Sequence, residues 1–134
     1  MDIEIKLIAV LVATLAGMML GAFWYSPIAF GKAWMDSIGK TEEDLGSATG
    51  PMIGSVVACL VTAMSLAIVI SLSGISDALG GAMLGGLIGL GIVFPALLSD
   101  SLFCGWGSKL LMIQSGYRVI YAIVMGAIIG GWPA

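Results

Sequence analysis

The chain has no histidine. That absence removes histidine-ligated metal sites, Ser-His-Asp triads and Cys-His pairs. Charge is also scarce. Five Lys and Arg stand against eight Asp and Glu, a net charge of −3, and only 10% of the residues are charged. A soluble domain carries about 25%. No basic cluster exists, so nucleic acid is not an expected partner. The polybasic segment that draws a protein onto anionic lipid is missing as well. Cys59 and Cys104 are the two cysteines. Both fall in or beside apolar runs and read as small buried residues rather than a disulfide. No catalytic residue, metal site or cofactor follows from what is left.

What the chain has is apolar length. Hydrophobic residues make up 60% of it, and the mean hydropathy is +1.12. Four apolar runs cover about residues 7–25, 51–73, 78–99 and 110–132. A bilayer core of about 30 Å needs about 20 apolar residues in a helix. Backbone polar groups find no water there, so each run must satisfy them internally. The expected fold is an all-α membrane protein, a four-transmembrane-helix bundle forming one integral membrane domain over 1–134. A cleaved signal peptide does not fit the first run. It begins with Asp2, Glu4 and a single Lys6, and it ends in Trp-Tyr-Ser-Pro. It reads as a retained helix.

The connections are unequal. Residues 74–77 and 104–109 leave room only for tight antiparallel turns. The segment 27–50 is longer. Phe30, Trp34 and Ile38 recur every fourth residue, with Lys32, Asp36 and Lys40 elsewhere around the turn. That spacing predicts a short amphipathic helix at about 29–38, lying at the membrane interface. Residues 41–44 (Thr-Glu-Glu-Asp) have the pattern of a helix N-cap with acids in the first turn. Trp24, Tyr25, Trp34, Trp106 and Trp132 fall at expected helix ends, where aromatic anchors sit. Lys32, Lys40 and Lys109 lie in the loops of one side, against Lys6 on the other. The excess favours those loops in the cytoplasm and both termini outside it.

Small residues repeat at four-residue spacing on every run. They are Ala9, Ala13, Gly17 and Gly21; Gly54, Ala58 and Thr62; Gly81, Gly85 and Gly89; and Ala122, Gly126 and Gly130. Lipid tails are as apolar as leucine, so membrane helices associate through close backbone contact along such stripes. The stripes predict a tight bundle, or one that also dimerises, within a homo-oligomer or larger membrane complex. Pro95 removes a helical hydrogen bond and predicts a kink near Gly91.

Two charges fall inside the runs. Arg118 lies roughly 12 Å below the start of the fourth, on one stripe with Gln114, Ala122, Gly126 and Gly130. Asp100 lies about 20° around the helix from Gly89. Tyr117 and Tyr121 add hydroxyls. Asp100, Gln114, Tyr117, Arg118 and Tyr121 therefore form the candidate intramembrane polar site. One reading is a polar site or a proton or anion path. The other is structural: an Asp100–Arg118 ion pair, or an arginine snorkelling to the headgroups.

Residues 21–45 resemble a bacterial membrane-protein family catalogued as domain of unknown function 1761. The resemblance rests on Gly21, Trp24-Tyr25-Ser26-Pro27, Phe30-Gly31-Lys32-Ala33-Trp34 and Thr41-Glu42-Glu43-Asp44-Leu45. The stretch Ile113-Gln114-Ser115-Gly116-Tyr117-Arg118, then Met125-Gly126-Ala127-Ile128 and Trp132, is similar to the family's end. The resemblance implies a small protein of the bacterial inner membrane with about four helices, and it supplies no catalytic residues. Two function classes stand level. One is a non-catalytic structural or accessory membrane component, or an oligomer subunit. The other is a small oligomeric transporter or channel-like protein working at Arg118 and Asp100. The size and plan are similar to small multidrug-resistance transporters, but their acidic residue deep in the first helix is absent here. An intramembrane enzyme ranks last, for want of acid–base groups.

Overall fold

The computed structural model describes residues 3–41 and 43–133. Asp2 and Glu42, which entered the sequence reading, lie outside them. The helices are α1 (Leu7–Trp24), α2 (Gly31–Ile38), α3 (Thr49–Ser73), α4 (Ala78–Ile88), α5 (Phe94–Cys104) and α6 (Ser108–Gly131). A π-helical turn, Gly89–Val93, joins α4 to α5, so Ala78–Cys104 runs as one span. Among the described residues four spans are long and apolar enough to cross a membrane, and the fold is an all-α membrane bundle. Gly74 (φ 72°) and Gly105 (φ 70°) stop α3 and α5 in the left-handed conformation that glycine adopts without strain. Asp77 then caps α4, its carboxylate accepting the Gly80 N–H at 2.8 Å.

The tightest packing is between α4 and α6. A Cβ on Gly81 would collide with the Gly126 carbonyl, and one on Gly85 with the Ala122 carbonyl. A Cβ on Gly89 would come within 2.9 Å of the Val119 Cα, and one on Gly130 within 2.5 Å of the Asp77 carbonyl. The two backbones therefore touch along three turns, as small-residue stripes permit. On α1 the same residue type serves another purpose. Gly17 and Gly21 receive tyrosine rings: a Cβ on Gly21 would lie 2.8 Å from the Tyr117 hydroxyl, and one on Gly17 3.3 Å from the Tyr121 ring. The core between α1, α3 and α6 is closed by Val10, Cys59 and Met125, all nearly inaccessible.

The α3 stripe departs from expectation. Every residue from Thr49 to Ala58 is exposed, and a Cβ on Gly54 would meet nothing within 4 Å. Packing on α3 begins only at Cys59 and continues through Ala63, Leu66, Ala67 and Ile70. The helix stands clear of its neighbours over its first three turns. Of Gly54, Ala58 and Thr62, only Thr62 is engaged, accepting a hydrogen bond from the Tyr121 hydroxyl at 2.9 Å.

The kink expected from Pro95 takes the form of the π-turn. The Phe94 N–H donates to the Gly89 carbonyl, five residues back, and Pro95 has no N–H to return the chain to the α pattern at once. Such a turn holds one extra residue. The inward face, which would continue from Gly89 through Ile92, Ala96 and Asp100, moves on by one. Val93 and Leu97 are half-buried and Ser101 is buried, while Ile92, Ala96 and Asp100 are exposed. Asp100 therefore points away from the bundle, and its expected place on the packing face is taken by Ser101.

Before α3 the chain makes a single 3₁₀ turn, Glu43–Leu45. The Asp44 carboxylate accepts the Thr41 backbone N–H and the Thr41 hydroxyl, both at 3.0 Å. These bonds, the backbone one foremost, hold its pKa below the usual value. A depressed carboxylate stabilises the turn fully above the usual carboxylate pKa and loses that contribution as pH falls through the lowered value. Protection of the Thr41 amide, its exchange rate relative to an unstructured chain at the same pH, is expected to fall over that acidic window in the native chain, and to be lower without that pH dependence in Asp44→Asn.

Candidate functional site

The segment after α1 folds back on itself. Ser26 is the pivot: its hydroxyl donates to the Phe23 carbonyl at 2.6 Å, and its own carbonyl accepts the N–H groups of Ala29 and Gly31. The Phe30 N–H returns to the Trp24 carbonyl at 2.9 Å. Gly31 is required by contact, since a Cβ there would lie 2.5 Å from the Tyr25 carbonyl. This turn carries α2 back over the end of the bundle.

The aromatic residues of the turn are not free anchors. The Trp24 indole N–H donates to the Ile113 carbonyl at 3.0 Å, and its ring covers Gly116, where a Cβ would come within 3.1 Å. The Tyr25 hydroxyl donates to Gln114 Oε1 at 2.6 Å. Trp34 of α2 meets Tyr25 edge-on, with ring centroids 5.3 Å apart. Tyr25 meets Tyr117 at 5.6 Å, and Tyr117 meets Tyr121 at 5.2 Å. A row of four rings thus runs from α2 into the bundle. Hydrogen bonds fix its lower half, Tyr117 donating to the Gly17 carbonyl at 2.8 Å and Tyr121 to Thr62. Trp106 is half-buried in the turn before α6. Trp132 is packed against the core, and its carbonyl accepts Lys6 Nζ at 2.8 Å.

Beside this row lies a half-open cavity of about 500 Å³. Its walls are the last turns of α1 (Met18, Gly21, Ala22, Tyr25) and the free turns of α3 (Pro51, Met52, Ser55, Cys59). Tyr117 and Arg118 form the floor, and Trp34 the roof. Arg118 is the one charged residue among these. It lies ten residues into α6, about 15 Å from the helix start, close to the middle of the span. Its side chain leans toward the helix N-terminus, as helical side chains do, and so toward the roof.

The guanidinium carbon stands 5.1 Å from the Tyr117 centroid and 5.3 Å from that of Tyr121. Among the described residues no carboxylate pairs with Arg118 and no hydrogen bond leaves it. A lone arginine at the centre of a span costs about 2.5–3.5 kcal/mol on insertion scales. Cation–π contact returns about 0.5–2 kcal/mol. The rings offset part of the cost and leave five N–H donors without acceptors. Trp34 Nε1 is in the same condition: it is buried and has no partner among the described residues. Buried donors left unpaired are uncommon and costly. The cavity therefore holds a cation and the Ser55 hydroxyl, with no anion to match, while the Trp34 indole N–H is enclosed by protein.

Of the candidate polar residues, the structure brings together Tyr117, Arg118 and Tyr121, with Gln114 attached through Tyr25. Asp100 is not among them, and no Asp100–Arg118 ion pair forms, because the π-turn has rotated the acid outward. Sequence reasoning missed Ser55, Met52 and Cys59, which lie on α3 with no polar pattern around them. It also missed that Trp34 and Tyr25 belong to the site.

The two segments that carried the family resemblance meet here. Trp24, Tyr25, Gly31 and Trp34 come from the first. Ile113, Gln114, Gly116, Tyr117 and Arg118 come from the second. The family model described as "Protein of unknown function (DUF1761)" matches residues 8–130. The chain belongs to this family. No curated protein and no solved structure matched the chain. In this DUF1761 chain the signature residues define one place, the turn, the ring row and the cation beneath them.

Proposed function

We propose that the protein is a non-catalytic membrane component that takes up an amphiphile from the bilayer into the cleft between α1 and α3. The observation that carries this reading is the cavity itself. It is apolar along Met18, Ala22, Pro51 and Met52, polar at its floor, and bounded by the stretch of α3 that no other helix covers. Concave, mostly apolar sites with a few convergent polar groups are where small ligands bind. The channel-like alternative is less well supported. Below the cavity the space is filled by Val10, Cys59 and Met125, and Asp100 stands on the far side of the bundle wall.

Two further parts of the proposal concern setting. Three lysines on the α2 end, against Lys6 at the other, support a cytoplasmic α2 end and outward termini in a bacterial inner membrane. The bare face of Gly50, Gly54 and Ala58 on α3 supports contact with a second copy or another membrane protein.

Lipid extraction from the purified protein tests the binding reading. Native mass spectrometry in a neutral detergent is expected to find about one amphiphile per chain. The variants Ala22→Phe and Ser55→Phe, which fill the cleft, are expected to lose it while melting at a similar temperature. Equal retention by the filled variants, or none by the native chain, would overturn the reading.

A further inference from the structure

We infer that the polar end of this amphiphile is an oxyanion, a phosphate monoester or carboxylate on an alkyl chain, gripped by the Arg118 guanidinium. The inference rests on the cleft reading and adds the chemistry of its ligand. Three observations lead to it. Arg118 is the only charge among the lining residues, and among the described residues no acid answers it. Its guanidinium is a planar fork of donors that matches a carboxylate or phosphate two bonds at a time. Its orientation is set before any ligand arrives, since it rests against the adjacent rings of Tyr117 and Tyr121, which are themselves bonded to Gly17 and Thr62.

A second polar group fits the same headgroup: the Ser55 hydroxyl lines the α3 wall. A neutral headgroup would leave the cation unanswered, and a cationic one would be repelled. The apolar part of the ligand has a place too. Thr49–Ala58 of α3 is uncovered, so a chain extending from the floor leaves the cavity between α1 and α3 into lipid. The site thus distinguishes an anion that belongs to the membrane from one that belongs to water. A free phosphate satisfies the arginine but leaves Met18, Ala22 and Met52 facing empty space.

The test compares hexadecyl phosphate, hexadecanol, hexadecylammonium and inorganic phosphate as ligands of the full chain in a neutral detergent, with bare micelles as control. Hexadecyl phosphate is expected to bind about ten- to a hundredfold more tightly than hexadecanol, the range for hydrogen bonds to a charged group. Hexadecylammonium is expected not to bind. Arg118→Gln is expected to bring hexadecyl phosphate down to the level of hexadecanol. Arg118→Lys, which keeps the charge and loses the fork, is expected to fall between. If Arg118→Gln does not fold, the comparison of headgroups on the native chain decides alone. Equal binding of hexadecyl phosphate and hexadecanol would overturn the oxyanion inference and leave the cleft reading standing. Failure of every alkyl ligand would overturn both. Inorganic phosphate displacing hexadecyl phosphate at comparable concentration would show a site for a soluble anion, and would overturn the membrane source.

Discussion

Replacing Gly85 with leucine is expected to abolish recovery of folded protein from detergent, and Gly126→Leu to do the same. The reason is that the neighbour is backbone. A Cβ at Gly85 meets the Ala122 carbonyl and lies 3.0 Å from the Ile123 Cα. Main chain cannot swing aside as a side chain does, so the helices must part. Overpacking a core costs about 1–3 kcal/mol when side chains absorb it, and here the loss is expected at or above that upper figure. Alanine at Gly85 already carries the offending atom and should lower the melting temperature too. Gly54→Leu is the control. It lies in the same kind of stripe but faces open space, and is expected to change stability by no more than about 0.5 kcal/mol. Recovery from one detergent reads the two leucine variants at Gly85 and Gly126, and chemical denaturation in that detergent reads Gly85→Ala against Gly54→Leu. Similar losses at Gly54 and Gly85 would mean that α4 and α6 are not in backbone contact.

The second large effect concerns two neighbouring residues with opposite expectations. Asp100→Leu is expected to be nearly silent, because the carboxylate points outward. Ser101→Asp is expected to destabilise by about 2–3 kcal/mol, because it sets an unpaired acid on the packing face. If Val93–Ser101 followed Gly89 in unbroken α geometry, the two results would exchange places. Thermal denaturation of the two single variants therefore reads the rotation produced by the π-turn. It also separates Arg118 from Asp100: with the acid outside, the two side chains have no route to couple, and their effects on stability should add.

Much of the fold was legible in the sequence because membrane spans are announced by length. The four apolar runs matched the four spans to within a few residues at most of their ends. The turn at 74–77 was fixed by its brevity. The short helix after α1 emerged from the spacing of Phe30, Trp34 and Ile38. What composition could not convey was direction. A stripe of small residues looks the same whether it receives a backbone (Gly81, Gly85), a tyrosine ring (Gly17, Gly21) or nothing (Gly54). The helical period also fails where the helix does. Counting at 100° per residue carried Asp100 inward, and one extra residue in the π-turn carried it out. Pro95 signalled a disturbance but not its size.

The site was partly legible for a related reason. Arg118, Tyr117 and Tyr121 stand on one uninterrupted helix, where spacing is a dependable guide. Tyr25 and Trp34 reach the same place through a turn whose hydrogen bonds centre on Ser26, and nothing in their own spacing foretells it. Ser55 and Met52 reach it because α3 is bare over its first turns. That is a property of the assembled bundle.

The bare half of α3 sets up a mechanical relation with the lipid. At 1.5 Å per residue, α1 is about 27 Å long and α3 about 37 Å, against a hydrocarbon layer of about 30 Å. A helix that exceeds the layer adjusts by leaning. The lower part of α3 is clamped by Ala63, Leu66, Ala67 and Ile70, so the lean falls on Thr49–Ala58, which forms one wall of the cavity. Membrane thickness is then expected to act as a setting on the gap above Arg118: thinner lipid should lay the upper part of α3 outward, and thicker lipid should draw it upright.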